Sequence, residues 1–184
     1  MGGRKGFALW LTGLSGSGKT TIAVEVEAVL RARGLSVERL DGDTVRKGLT
    51  PDRAAGQQDR DMNIERVTFV AKLLARNGVA VLCSFISPYR ERRAQSREEI
   101  GEFIEVYLEC PVEVCAERDV KGLYAKAFAG EILHFTGVTD PYEPPLNPEV
   151  VCRTAEETVD ESVARVVAYL EDHKHIPRAS SVEN

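Results

Sequence analysis

The run Gly13-Leu14-Ser15-Gly16-Ser17-Gly18-Lys19-Thr20 fits G-x-x-x-x-G-K-[ST] in full. That pattern serves one chemistry, the binding of a nucleoside polyphosphate. Glycines let the backbone curl until its N–H groups converge on phosphate oxygens. The start of the following helix adds partial positive charge. Lys19 is placed to reach the β- and γ-phosphates, and the Thr20 hydroxyl to ligate Mg²⁺. The expected ATP-binding set is Gly13, Ser15, Gly16, Ser17, Gly18, Lys19, Thr20 and Thr21. A dinucleotide fingerprint fails, because G-x-G-x-x-G needs glycine where Thr21 stands. No N-K-x-D segment occurs, which favours ATP over GTP.

Asp41-Gly42-Asp43 ends an apolar run further on. Two carboxylates there suit a metal or a catalytic base. The plainer reading is a turn followed by a helix N-cap. Arg46, Arg60 and Arg66 follow, with Asn63 three positions from each of the last two, so these can share a helix face. Planar donors of this kind suit an anionic oxyacid, although a solvated charged face reads the same way. In Ser84-Phe85-Ile86-Ser87-Pro88, Ser87 stands where a hydroxyl could meet a substrate or simply form a turn.

These residues need elements to position them. Phe7 to Thr12 is a continuous apolar run, as in a strand buried on both faces. Thr20 to Arg33 has helical spacing at Ile22, Val26, Val29 and Leu30, closed by Gly34. Ser36 to Leu40 reads as a strand, 48–58 as loop, Asp59 to Asn77 as a helix and Val79 to Phe85 as the strongest strand. A charged helix over Arg90 to Ile100, a strand over Phe103 to Leu108 and a helix to about Arg118 follow. Residues 119–149 show no sustained period, and so long a loop suggests a lid. Val150 to Cys152 reads as a last strand and Thr158 to Asp172 as an amphipathic helix, with a tail from about His173 expected to fray. Alternating strands and helices imply βαβ units and a parallel sheet covered on both faces, with the active site beyond the strand C-termini.

The length of 184 residues suits a single domain. With 43% apolar residues a packed core is available. A net charge of −5 argues against a nucleic-acid polymer as partner. No run approaches the ~20 apolar residues of a membrane span. No signal peptide is read, and Gly6 stands where myristoylation would want Ser or Thr. Cys83, Cys110, Cys115 and Cys152 lie far apart, as expected of reduced thiols in a cytoplasmic protein.

The chain resembles the adenylylsulfate (APS) kinases. The resemblance rests on residues 13–21, Leu40-Asp41-Gly42-Asp43 with Arg46, Asp59-Arg60 with Asn63, Phe85-Ile86-Ser87-Pro88-Tyr89, Arg118-Asp119-Val120-Lys121-Gly122-Leu123-Tyr124, Gly130-Glu131-Ile132, Phe135-Thr136-Gly137 and Tyr142-Glu143-Pro144-Pro145. It spans residues 6 to 172. It implies a three-layer α/β P-loop NTPase fold with a mobile lid over about 118–139, and phosphoryl transfer from ATP to the 3′-hydroxyl of APS. Asp43, Arg46, Arg60, Asn63, Ile86, Ser87, Lys121, Leu123 and Phe135 would hold APS. Phe135 would stack on its adenine, and Arg118 would lie near the ATP adenine. Asp43 would accept or orient the hydroxyl proton, Asp41 would support the metal through water, and the two roles could be exchanged. Ser87 falls where the family is described as carrying a phosphoserine, although in-line transfer needs no covalent step. A homodimer is also implied. Two departures stand out: Ala55 replaces an aromatic of the family, and Glu65 replaces an arginine. A sugar- or nucleoside-directed kinase would keep the loop and both aspartates but not Lys121-Gly122-Leu123 with Phe135-Thr136-Gly137. An ATP-dependent switch would need a partner protein in place of a small acceptor.

Overall fold

The computed structural model describes residues 5–42, 44–45, 57–119 and 121–179. Five strands form one sheet: β1 (Phe7–Thr12), β2 (Val37–Asp41), β3 (Ala80–Ser84), β4 (Phe103–Glu109) and β5 (Val150–Arg153). Their order is β2-β3-β1-β4-β5 and every pairing is parallel. Parallel pairing needs crossovers, which here are the helices α1 (Lys19–Ala32), α2 (Gln57–Arg76), α3 (Arg90–Ile100) and α4 (Val112–Arg118), with α6 (Val159–Asp172) after β5. The central strand β1 is buried along its whole length, as its unbroken apolar run requires.

Side-chain alternation divides the core into two layers. On one face Phe7, Leu9, Leu11 and Leu82 pack with Ile22, Val26 and Leu30 of α1 and Val166 and Leu170 of α6. On the other, Ala8, Trp10, Val81 and Cys83 pack with Ile64, Val67 and Ala71 of α2. A smaller third cluster, Cys110, Cys115, Tyr124, Ala127 and Phe135, joins the 119–140 segment to Leu14. Helix α6 begins with a capping box, in which the Thr158 hydroxyl accepts from the Glu161 amide and the Glu161 carboxylate reaches back to the Thr158 amide. Among the described residues no helix is long and apolar enough to cross a membrane.

Two expectations need correction. The aperiodic stretch 119–149 contains a helix, α5 (Leu123–Phe128). At six residues it is too short for its apolar spacing to register in the sequence. Its start is held by the Asp119 carboxylate, which accepts from the amides of Tyr124 and Ala125 and is thereby kept below the usual carboxylate range. The tail from His173 does not fray over its described part. His175 and Ile176 donate backbone bonds to Leu170 O, Ile176 is 3% exposed within the main core, and Arg33 bonds both Glu171 and Pro177 O. One apolar residue in a polar run gives little periodic signal, yet it buries a full side chain. Ile176→Ala should therefore cost about 2–4 kcal/mol in denaturant unfolding, as for other buried Ile positions. A loss below about 0.5 kcal/mol would show that the tail does not pack.

Candidate active site

The phosphate loop lies between the end of β1 and α1, and its carbonyls are held from behind. Lys19 Nζ donates to Gly13 O (2.9 Å) and Leu14 O (2.7 Å). Tyr124 Oη donates to Ser15 O (2.7 Å), Arg118 to Gly16 O (3.3 Å), Thr154 Oγ1 to Ser17 O (2.8 Å) and the Ile22 amide to Gly18 O (3.0 Å). Apart from the Ser17 amide, which donates to Leu14 O (3.1 Å), anchored carbonyls leave loop N–H groups available to an anion, as a nest requires. Gly16 and Gly18 have φ values of 78° and 94°, and a Cβ on Gly16 would sit 3.0 Å from Cys115 O. Only glycine meets both conditions at Gly16.

The loop opens onto a cavity of about 1330 Å³. That exceeds the usual volume of a single small-molecule site, roughly 300–1,000 Å³, and leaves room for a donor and an acceptor together. Of the expected residues that are described, all line it except Gly13, Ser17 and Arg66. Lys19, Thr20, Thr21 and Arg118 line it together with Arg60, Asn63, Ile86, Lys121, Leu123 and Phe135. Asp43, Arg46 and Ala55 lie outside the described residues.

Asp41 closes β2 at the cavity wall. One carboxylate oxygen accepts from the Thr44 amide (2.8 Å) and the other from Arg39 (2.8 Å). The N-cap reading of this carboxylate is thus realised. Arg60 donates to Asp140 (2.9 Å), Thr136 Oγ1 (3.2 Å) and His134 O, tying α2 to the 132–140 segment. Phe135 lies edge-on to Tyr124, ring centroids 4.9 Å apart.

Ser87 sits beneath the cavity floor, 3% exposed at a positive φ of 40°. Trp10 Nε1 donates to its Oγ (3.0 Å), and that Oγ donates to Thr12 Oγ1 (3.2 Å). Thr12 in turn donates to Ile86 O (2.7 Å), so the bond between Thr12 Oγ1 and Tyr142 Oη (2.9 Å) has Tyr142 as its donor. The buried guanidinium of Arg93 holds Ser87 O (2.6 Å), Glu143 O (2.6 Å) and the Glu105 carboxylate (2.8 Å). Sequence reasoning did not single out Trp10, Thr12, Arg93 or Thr154. Each acts through the floor or the back of the loop, and no local motif marks such a contact.

The oxygen donors present fit a divalent cation of the hard kind. Thr20 presents an exposed hydroxyl, Asp41 a carboxylate, and Ser84 a buried Oγ bonded to no protein atom. Magnesium is ordinarily held by one or two such protein groups, with substrate phosphates and water completing its shell.

A five-stranded parallel sheet of this order, with a G-x-x-x-x-G-K-[ST] loop after its central strand, defines a P-loop kinase fold. The sequence pattern of the adenylylsulphate kinase family matches residues 5–153, and the chain belongs to that family. It is 59% identical over 176 residues to the adenylyl-sulfate kinase of Halothermothrix orenii, covering 96% of this chain and 95% of that one. It is 62% identical over 162 residues to a probable adenylyl-sulfate kinase of Pseudomonas aeruginosa, covering 88% and 76%. The structure of the Mycobacterium tuberculosis APS kinase CysC in complex with AMPPNP and APS superposes with a TM-score of 0.87 at 44% identity, over 91% of this chain and 98% of that one.

Burial pulls the Lys19 ammonium down from an ordinary value of 10.5 to about 8, with the nearby Lys121 charge adding to the effect. A bound polyphosphate favours the charged form and should restore the ordinary value. At pH 9, above that lowered value, nucleotide binding should then take up a proton at Lys19. At pH 7 the uptake should almost vanish. Calorimetry in buffers of different ionisation enthalpy measures this. Lys19→Arg, charged throughout, should show none, and equal uptake in that variant would assign the proton elsewhere.

Proposed function

We propose that the chain transfers the γ-phosphoryl group of ATP to the 3′-hydroxyl of adenosine 5′-phosphosulfate, giving 3′-phosphoadenylylsulfate and ADP. The observation that carries this reading is one cavity lined both by the phosphate loop and by Arg60, Asn63 and Phe135. Relatives named adenylyl-sulfate kinases and the M. tuberculosis complex with AMPPNP and APS support the choice of acceptor.

In this reading the loop amides and Lys19 hold the β- and γ-phosphates and place the outer phosphorus in line with the acceptor. Thr20 would hold Mg²⁺ and Asp41 would support it through water; when bound, such an ion would supply positive charge at the phosphate oxygens. Asp43 accepts the proton of the 3′-hydroxyl as its oxygen bonds to phosphorus, and the bond to the β-phosphate oxygen breaks to release ADP. Arg60 and Asn63 hold the anionic part of APS, Phe135 stacks on its adenine, and Lys121, Leu123 and the Ile86 backbone complete its seat. Arg46 joins the same anion site. A stacked base is worth about 1–3 kcal/mol in comparable sites. Residues 118–139 act as the lid that excludes water. Ser87 is a floor residue that shapes the acceptor end and carries no phosphoryl group. The same reading includes a single domain, a homodimer, and a cytoplasmic setting, which suits four buried free cysteines.

An ADP-release assay with APS, guanosine, uridine, gluconate and no acceptor tests the assignment. APS alone should sustain turnover and yield a 3′-phosphorylated product. Asp43→Asn should lower turnover by about 10²–10⁴ with ATP affinity retained, the usual range for a general base. Near-normal turnover would remove Asp43 from the chemistry.

Ser87→Ala leaves the buried Trp10 N–H without its acceptor. It should cost about 1–3 kcal/mol of stability, while transfer persists within about tenfold, as expected when no covalent step is involved. Complete loss of transfer in a folded variant would restore a covalent role for Ser87.

A further inference from the structure

Ser84 ends β3, in register with Leu11 on one side and Asp41 on the other. It is 5% exposed and lines the cavity, yet its Oγ has no protein partner. The hydroxyls around it are satisfied: Thr12 bonds Ile86 O and Tyr142, and Ser87 bonds Trp10. An unsatisfied buried hydroxyl destabilises a fold, and at a cavity wall an ion or water carried in with a ligand can satisfy it.

Strand alternation says which ligand. Ala80 and Leu82 belong to the core layer of α1, whereas Val81 and Cys83 belong to the layer of α2. Two residues beyond Leu82, Ser84 stands on the α1 side, where Lys19 and Thr20 begin their helix. Arg60 and Asn63 of the acceptor end belong to α2, on the opposite face. Ser84 therefore serves the phosphate end. Asp41, its neighbour in register, has both carboxylate oxygens engaged by Thr44 and Arg39. Phosphate-loop enzymes hold their metal with the loop hydroxyl and an aspartate on a nearby strand. Here the strand beside β1 ends in a neutral hydroxyl, and the carboxylate is one strand further out.

We propose that the Ser84 hydroxyl is a positioning group for the hydrated divalent cation of the bound nucleotide: it accepts a hydrogen bond from a metal-bound water between Thr20 and Asp41. This rests on the phosphate-end half of the proposed function and is independent of the acceptor. The consequence is a trade within one residue. Ser84 destabilises the empty protein and tightens the metal–nucleotide complex.

Mn²⁺ binding to the protein–ADP complex, followed by electron paramagnetic resonance, tests this in the wild-type chain and in Ser84→Ala. The Mn²⁺ Kd should rise about tenfold in the variant, the low end of the range for groups acting through a metal's ligands. ADP affinity in EDTA should be unchanged. The melting temperature of the ligand-free variant should equal or exceed that of the wild type, with a smaller rise on adding Mn²⁺ and ADP. A merely structural serine would move the ligand-free melting temperature downward and leave the Mn²⁺ Kd alone. An unchanged Mn²⁺ Kd overturns the proposal. So does an equal loss of ADP affinity in EDTA, which would put the hydroxyl on the phosphate itself. Failure of the wild-type chain to phosphorylate APS would leave this measurement intact. Failure of the wild-type chain to bind ADP would instead refute the reading of the loop.

Discussion

The carbonyls of the phosphate loop are bonded to the protein behind them, and the rest of the site depends on this. From Gly13 to Gly18 each accepts a donor: Lys19 twice, then Tyr124, Arg118, Thr154 and the Ile22 amide. Free peptide units would point either way. Fixing the oxygens to the rear orients the amide dipoles forward before any anion arrives, which is the preorganisation that electrostatic catalysis needs. Three of these donors come from far along the chain. Tyr124 stands in α5, Arg118 at the end of α4, and Thr154 just beyond β5, so the loop acquires its shape only once the whole sheet and the 119–140 segment are in place.

The wall of the cavity around Ser87 is built by a different logic. Its floor is a relay of neutral hydroxyls, from Trp10 through Ser87 to Thr12 and Tyr142, with the buried Arg93 bracing Ser87 and Glu143 from below. These groups carry no net charge into the cavity. The charge is supplied from the side by Arg60, which bridges α2 to His134, Thr136 and Asp140. The same guanidinium therefore lines the cavity and fixes the 132–140 segment.

Much of this was legible in the chain. The unbroken apolar run before Gly13 marked the central strand, and the loop motif named its own chemistry. Alternating periods gave the parallel sheet, and the spacing of Arg60 and Asn63 placed both on one helix face at the cavity. What escaped notice has a common physical cause. Helix α5 is too short to show a period, and Ile176 is one apolar residue in a polar tail. Thr154, Arg93 and Trp10 act through contacts made only across the fold, where residue type alone says little. Ser84 read as one more residue of a strand running to Phe85, and only its burial without a partner sets it apart. Asp41 realised the plainer of its two readings, as an N-cap, at the place where the other reading wanted it.

The two bonds from Lys19 to Gly13 O and Leu14 O use two of its three N–H groups and leave the third for a phosphate oxygen. The side chain that would meet the anion is therefore the one that also fixes the first two carbonyls of the loop, so replacing it disturbs the shape of the loop as well as its charge.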